Sequence, residues 1–283
     1  MVDVNDFELA KTSDEPPAER AATETSWLWL VVAAMLVASA AAFYLVVSRR
    51  NRPAPGPANQ VAAASQGPVR PLGGTAAPVN VPPLDQSDPI VRELVKQITS
   101  HPKIAAWLAT EQLIRTFTVA VDNVSGGLTP AGRLRVWRPP SGFETVVRGR
   151  GLQVAPRSYD RYDDLADAAA SIDADGAARL YATLKPRIEE AYRDLGYPDT
   201  SFDRTLERAI VSLLRTPAPD GAEQLEPKGI GYAFVDPALE GLTAAQKQLL
   251  RTGPRNVRII QTSLRRIALA LGIPPERLPV PAT

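Results

Sequence analysis

Four aspartates, Asp160, Asp163, Asp164 and Asp167, recur at helical spacing, so their carboxylates share one face and offer hard oxygen ligands to a cation. The same spacing is that of a solvated helix face opposite Tyr159 and Tyr162. No Asp/Asn-Gly calcium loop accompanies it, which favours the solvated face. His101 is the single histidine, so a multi-histidine metal site is excluded and a triad would have one candidate base. It stands between Ser100 and Pro102, at a helix end, where the ordinary role is a capping or surface residue whose cation complements the helix dipole. The chain has no cysteine, which excludes thiolate zinc sites and disulfides. Glu189 and Glu190 are sequence neighbours and point apart on a helix, so they make a poor acid–base pair. The glycines form neither a phosphate-binding loop nor a dinucleotide fingerprint, and no Gly-x-Ser-x-Gly elbow is present. No catalytic, metal-binding or cofactor-binding residue is therefore assigned, and the reading points away from an enzyme.

The elements that would position these side chains are mostly helical. Asp88 followed by Pro89 starts a helix carrying Ile90, Val91, Leu94, Val95 and Ile98, which stops before Pro102. Leu113, Ile114, Phe117, Val121 and Val124 mark a second, ended by Gly126 and Gly127, and the two are expected to pack together. Residues 128 to 156 are broken by Pro130, Pro139, Pro140 and glycines, leaving Phe143–Val147 and Leu152–Ala155 as short hairpin strands in an arginine-rich stretch. Helical spacing resumes at Tyr159, Tyr162, Leu165 and Ala169, and again at Ala178, Tyr181, Leu184, Ile188, Ala191, Tyr192 and Leu195, with a kink expected at Pro186. Ser201 opens a helix through Leu214. A strand pair follows at Glu223–Leu225 and Gly229–Val235, then a turn of helix at Asp236-Pro237 and helices over Ala244–Thr252 and Pro254–Leu271. The expected class is mainly α, with about seven or eight helices and short β-hairpins.

The N-terminal part is different. Trp27 to Val47 is a run of 21 residues without a charge, long enough as a helix to cross a bilayer, with Trp27 and Trp29 at one end and Phe43 and Tyr44 near the other. The acidic residues 1–26 do not resemble the basic start of a signal peptide. Residues 48–86 are Pro- and Ala-rich, a composition that stays extended and reaches on the order of 100 Å when polyproline-like. The expected organisation is an acidic tail at 1–26, a transmembrane helix at 27–47, a flexible linker at 48–86 and a helical globular domain at 87–283.

Charge is informative near the C-terminus. From Leu242 to Ala270 there are six basic residues, Lys247, Arg251, Arg255, Arg258, Arg265 and Arg266, and no acidic ones. They attract anionic partners unless they pair with carboxylates of preceding helices. Residues 87–283 hold 26 basic against 23 acidic residues, which is not the balance of a nucleic-acid binder.

Four stretches carry a family resemblance: HPKIAAWLATEQLIRTFTVAVDNV from His101, YDRYDDLADA from Tyr159, AYRDLGYPDTSFDRTLERAI from Ala191, and PKGIGYAFVDPALEGLTAAQKQLLRTGPRNVRIIQ from Pro227. Together they resemble the bacterial family catalogued as domain of unknown function 3014. The resemblance implies an N-terminally anchored, single-span envelope protein with a helical domain, and it transfers no activity.

The expectation is thus a membrane-anchored interaction or scaffold module in the bacterial inner membrane. Its domain is expected on the periplasmic side, although Arg49, Arg50 and Arg52 after the span argue for the cytoplasm. The bilayer and another envelope protein are the expected partners, with no nucleic acid, small-molecule ligand, metal or cofactor. Tyr232, Phe234, Lys247, Arg251, Arg255 and Asn256 form the candidate partner surface, because aromatic and arginine side chains dominate binding hot spots. The alternative is an envelope hydrolase acting on wall glycans through a carboxylate pair brought together from distant helices.

Overall fold

Asp88, read as the start of its own helix, caps a different one. In the computed structural model its Oδ1 accepts from the Leu113 N–H at 2.9 Å and its Oδ2 from the Gln112 N–H at 2.7 Å. One turn later, Arg92 donates to the Leu108 and Thr110 carbonyls. These two side chains of α1 (Asp88–Lys96) thus hold the C-terminal end of α2 (Pro102–Leu108) and the N-terminal end of α3 (Leu113–Ser125). The junction between them is tight enough to put Gln112 at φ 55°. The structure describes residues 71–74, 79–132, 134–139, 141–149, 151–221, 223–229 and 231–280. The acidic tail, the Trp27–Val47 run and most of the linker lie outside these. Among the described residues no helix is long and apolar enough to cross a membrane.

The chain is mainly helical. After α3 come α4 (Pro156–Asp160), α5 (Asp163–Ala170), α6 (Ala174–Asp194) and α7 (Phe202–Leu214), then α8 (Pro237–Glu240), α9 (Ala244–Leu250) and α10 (Pro254–Ala270). Starts are marked as local chemistry dictates. Asp173, Ser201, Asp236 and Thr243 accept from backbone amides at the first turns of α6, α7, α8 and α9, and Thr243 with Gln246 forms a full capping box. The helix α6 runs on through Pro186.

The bundle places α3 on α6 and α7, with α10 against α5, α6 and α7. α1 does pack on α3, as its apolar spacing requires, but α7 is the larger partner of α3. Phe202, fully buried, lies at the centre with Phe117, Tyr181 and Tyr192 around it. Burying an aromatic ring of this kind stabilises by several kcal/mol, about 3–5 on truncation to Ala. Leu195, placed by spacing on the apolar face of α6, is instead exposed where the helix has ended.

One helix was not foreseen, and one expected boundary requires correction. α1 ends at Lys96, before Pro102 as expected, but Pro102 itself opens α2, where its missing N–H costs nothing in the first turn. The packed unit also begins before residue 87. Leu72, Val81 and Leu84, inside the segment read as linker, are buried in the main core, the Leu72 N–H bonds Asp203, and Arg187 donates to the Val81 carbonyl.

The strands form one sheet rather than separate hairpins. β1 (Thr145–Arg148) and β2 (Gly151–Val154) pair antiparallel, as do β3 (Gln224–Lys228) and β4 (Gly231–Phe234). Gly149 and Gly229 start the two tight turns at φ 60° and 59°. β2 then pairs with β3 through Leu152↔Leu225 and Gln153↔Gln224, giving the order β1-β2-β3-β4. Val154, Leu225 and Phe234 of this sheet close over Leu250 of α9 as a second small core.

Candidate functional site

The sheet and the adjoining ends of α9 and α10 gather the six residues expected to meet a partner, but not all of them face outward. Tyr232 and Phe234, two residues apart on β4, project from one face. Phe234 enters the second core at 5% exposure, while Tyr232, nearer the hairpin turn, is 41% exposed. Asn256 is buried too. Its Nδ2 serves the Tyr159 carbonyl, Asp163 Oδ1 and the Thr252 carbonyl. Phe234 and Asn256 therefore support the surface from beneath.

The basic residues are engaged within the fold. Arg251 lies over the Phe234 ring with 6.0 Å to its centroid, and Arg255 reaches Asp163 at 3.4 Å. Lys247 donates to the Glu240 carbonyl at 3.0 Å and stands 3.4 Å from its carboxylate. Arg258 pairs with Asp220, while Arg265 and Arg266 donate to the Pro279 and Ala170 carbonyls. Glu240 is a local hub. Hydrogen bonds from Lys228 and then from the Phe234 N–H, with Lys247 nearby, depress its carboxyl to about 2. Half-exposed pairs of this kind hold weakly, so their arginines stay open to competition from an outside anion.

An aromatic pair that sequence spacing does not reveal borders this surface. Phe143, just before β1, meets Tyr232 of β4 with ring centroids 5.7 Å apart, and the Arg161 guanidinium stands 5.7 Å from the Phe143 ring. Val147 and Val235 are exposed on the same strands or at their ends, at 73% and 49%. The run of Val146 and Val147 beside Phe143 was the available sequence signal, but its pairing with Tyr232 depends on β2 joining β3.

A carboxyl–phenol pair lies beneath. Tyr159 of α4 donates its hydroxyl to Glu223 Oε2, and the other Glu223 oxygen is buried without a partner. Burial holds the Glu223 carboxyl above its ordinary value, against the pull of the Tyr159 hydrogen bond. Burial, reinforced by the Glu223 acceptor, likewise raises the Tyr159 phenol. A raised carboxyl is what a general acid needs. Glu223, however, is closed off by Tyr159 and lines neither of the two cavities in the helical part.

Those cavities contain no carboxylate. The larger is apolar and lies among the bundle helices; the smaller is edged by Arg92, Lys96 and His101. The carboxylates singled out earlier have separate structural roles. Glu189 accepts from Ser201 and the Phe202 N–H at the start of α7, and Glu190 pairs with Arg187. Asp163 holds Asn256, and Asp164 stands 3.7 Å from Lys103. Among the described residues no group of three or more His, Asp or Glu is arranged to hold a metal ion. His101 is the N-cap of α2, with Nδ1 accepting from the Lys103 N–H at 3.2 Å. It is a capping residue as expected, but at a helix start rather than a helix end.

Comparison with the curated proteins and with the solved structures gave no match. The family model described as protein of unknown function (DUF3014) matches residues 113–268, more than half of the chain. That span takes in α3 to α9, the whole sheet and nearly all of α10, and the chain belongs to this family.

Proposed function

We propose that this protein is a single-span, membrane-anchored envelope protein whose helical domain captures a protein partner. The Trp27–Val47 run supplies the anchor and the Pro-rich stretch after it supplies reach, which raises the effective concentration of the domain near its target. The exposed Phe143–Tyr232 pair, with Arg161 over the Phe143 ring and Arg251 over Phe234 two residues along β4 from Tyr232, carries the reading. Exposed apolar patches with a polar rim mark interaction sites, and aromatic and arginine side chains are their usual anchors. The basic rim favours an acidic partner face. The domain works on the periplasmic side.

Photo-crosslinking in cells tests the docking surface. A benzophenone amino acid at Tyr232 in the full chain should give discrete protein adducts that the Arg251→Glu, Arg255→Glu double variant loses, while the same probe at exposed Leu195 gives none of them. Identical adducts from both positions, or adducts indifferent to the charge reversal, would refute this surface.

A further inference from the structure

The bundle holds a partly open cavity of about 410 Å³, walled by α1, α2, α3, α6, α7 and α10. Its lining is aliphatic and aromatic side chains, among them Val95, Phe117, Leu184 and Ile210, with Thr99 at its edge. Protein cores are close-packed and leave few voids larger than a water molecule. A dry apolar cavity of roughly 150 Å³ already admits benzene, and small-molecule sites begin at about 300 Å³. A space of this size and character suits a flexible hydrocarbon chain.

A further observation gives that chain a polar end. Thr99 also borders the second hollow, of about 400 Å³, whose edge carries Arg92, Lys96 and His101. Apolar room and a basic hollow thus meet at one residue, the same order of parts as in an anionic amphiphile. The sequence motifs pointed to no small-molecule ligand, because a cavity assembled from six helices leaves no local pattern.

We propose that the helical domain binds the acyl chain of an anionic amphiphile in the bundle cavity. The acidic group lies past Thr99, at the hollow edged by Arg92, Lys96 and His101. This site is distinct from the Phe143–Tyr232 surface and stands or falls separately from partner capture.

Cells expressing the full chain are given either a free fatty acid or an anionic phospholipid with a diazirine in the acyl chain, irradiated, and the labelled peptides mapped by mass spectrometry. The site predicts adducts on peptides containing Trp107, Phe117 or Leu184; whichever probe labels them identifies the source of the chain. Filling the space with Ala120→Phe and Ala177→Phe should cut that labelling about tenfold, with a Tm equal to or above that of the parent, since a void is being filled. Lys96→Glu should lower labelling by about threefold through charge repulsion alone. Absence of adducts from the three peptides with both probes overturns the proposal, and does so whether or not the filled variant folds. Undiminished labelling in a folded filled variant overturns it as well.

Discussion

The base of the Tyr159 ring lies against Gly253, so that a Cβ added at residue 253 would sit 2.5 Å from Tyr159 Cγ. Gly253 also holds φ 88°, a conformation that side chains disfavour, and it directly precedes α10. One glycine thus seats the tyrosine whose hydroxyl closes on Glu223, and joins α4, β3 and α10 into one corner. Replacement by alanine adds both backbone strain and a clash with a half-buried ring. Gly253→Ala should cost about 2–4 kcal/mol, read as a lower denaturant midpoint with unchanged slope. A stability within about 0.5 kcal/mol of the parent would mean the ring moves aside freely.

The same corner sets a pH dependence. Burial raises the Glu223 carboxyl above its ordinary 4.5 in the folded chain. As pH rises past 4.5 the unfolded chain releases this proton first, the folded chain binds more protons, and stability falls until the folded group has also ionised. Glu223→Gln removes this loss while keeping an acceptor for Tyr159. Denaturation at a series of pH values should show the variant gaining on the parent as pH rises from about 4 to about 8. A constant difference across that range would deny Glu223 its raised value.

Asp203 is a buried carboxylate shared by Tyr181, Lys185 and the Leu72 amide. Removing the cation leaves the charge buried and partly unpaired. Lys185→Met should destabilise by about 3 kcal/mol, and the double variant Lys185→Met, Asp203→Asn should recover part of that loss. If the single variant is neutral, solvent reaches Asp203 and the ion pair is incidental.

Much of the helical pattern was legible because its cues are local. The caps at Ser201 and Thr243, the apolar spacing from Leu113 to Val124 and the Asp236-Pro237 turn each act within a few residues. What escaped depends on distant partners. Asp88 was read as capping its own helix, whereas the amides it caps are 24 and 25 positions away. Pro102 was legible as the limit of α1, but it is also the first-turn residue of α2, a short helix marked by the His101 cap. Leu72, Val81 and Leu84 are isolated apolar residues among prolines, with no period to betray their burial. The candidate surface was legible as a basic, aromatic neighbourhood. That Phe234 and Asn256 turn inward, and that Phe143 comes to Tyr232, follows from the union of two hairpins about 70 residues apart, for which no short-range rule exists.

The clamp at the α2–α3 junction gives a further test. Asp88→Ala strips two amides of their acceptor at the start of α3 and should cost about 1–2 kcal/mol. Hydrogen exchange should then accelerate first at Gln112 and Leu113. Exchange that quickens evenly through the domain would show that Asp88 acts only on global stability.

Whether the domain works while leashed to a membrane is tested most directly by its topology. The full chain with Thr200→Cys, in the exposed turn between α6 and α7, is probed with a membrane-impermeant maleimide in cells whose outer barrier has been opened, then fractionated after an alkaline wash. Full-length chain should be found in the membrane pellet, labelled without lysis. Uncleaved chain in the soluble fraction, or label taken up only after lysis of the inner membrane, would contradict a leashed, periplasmic domain.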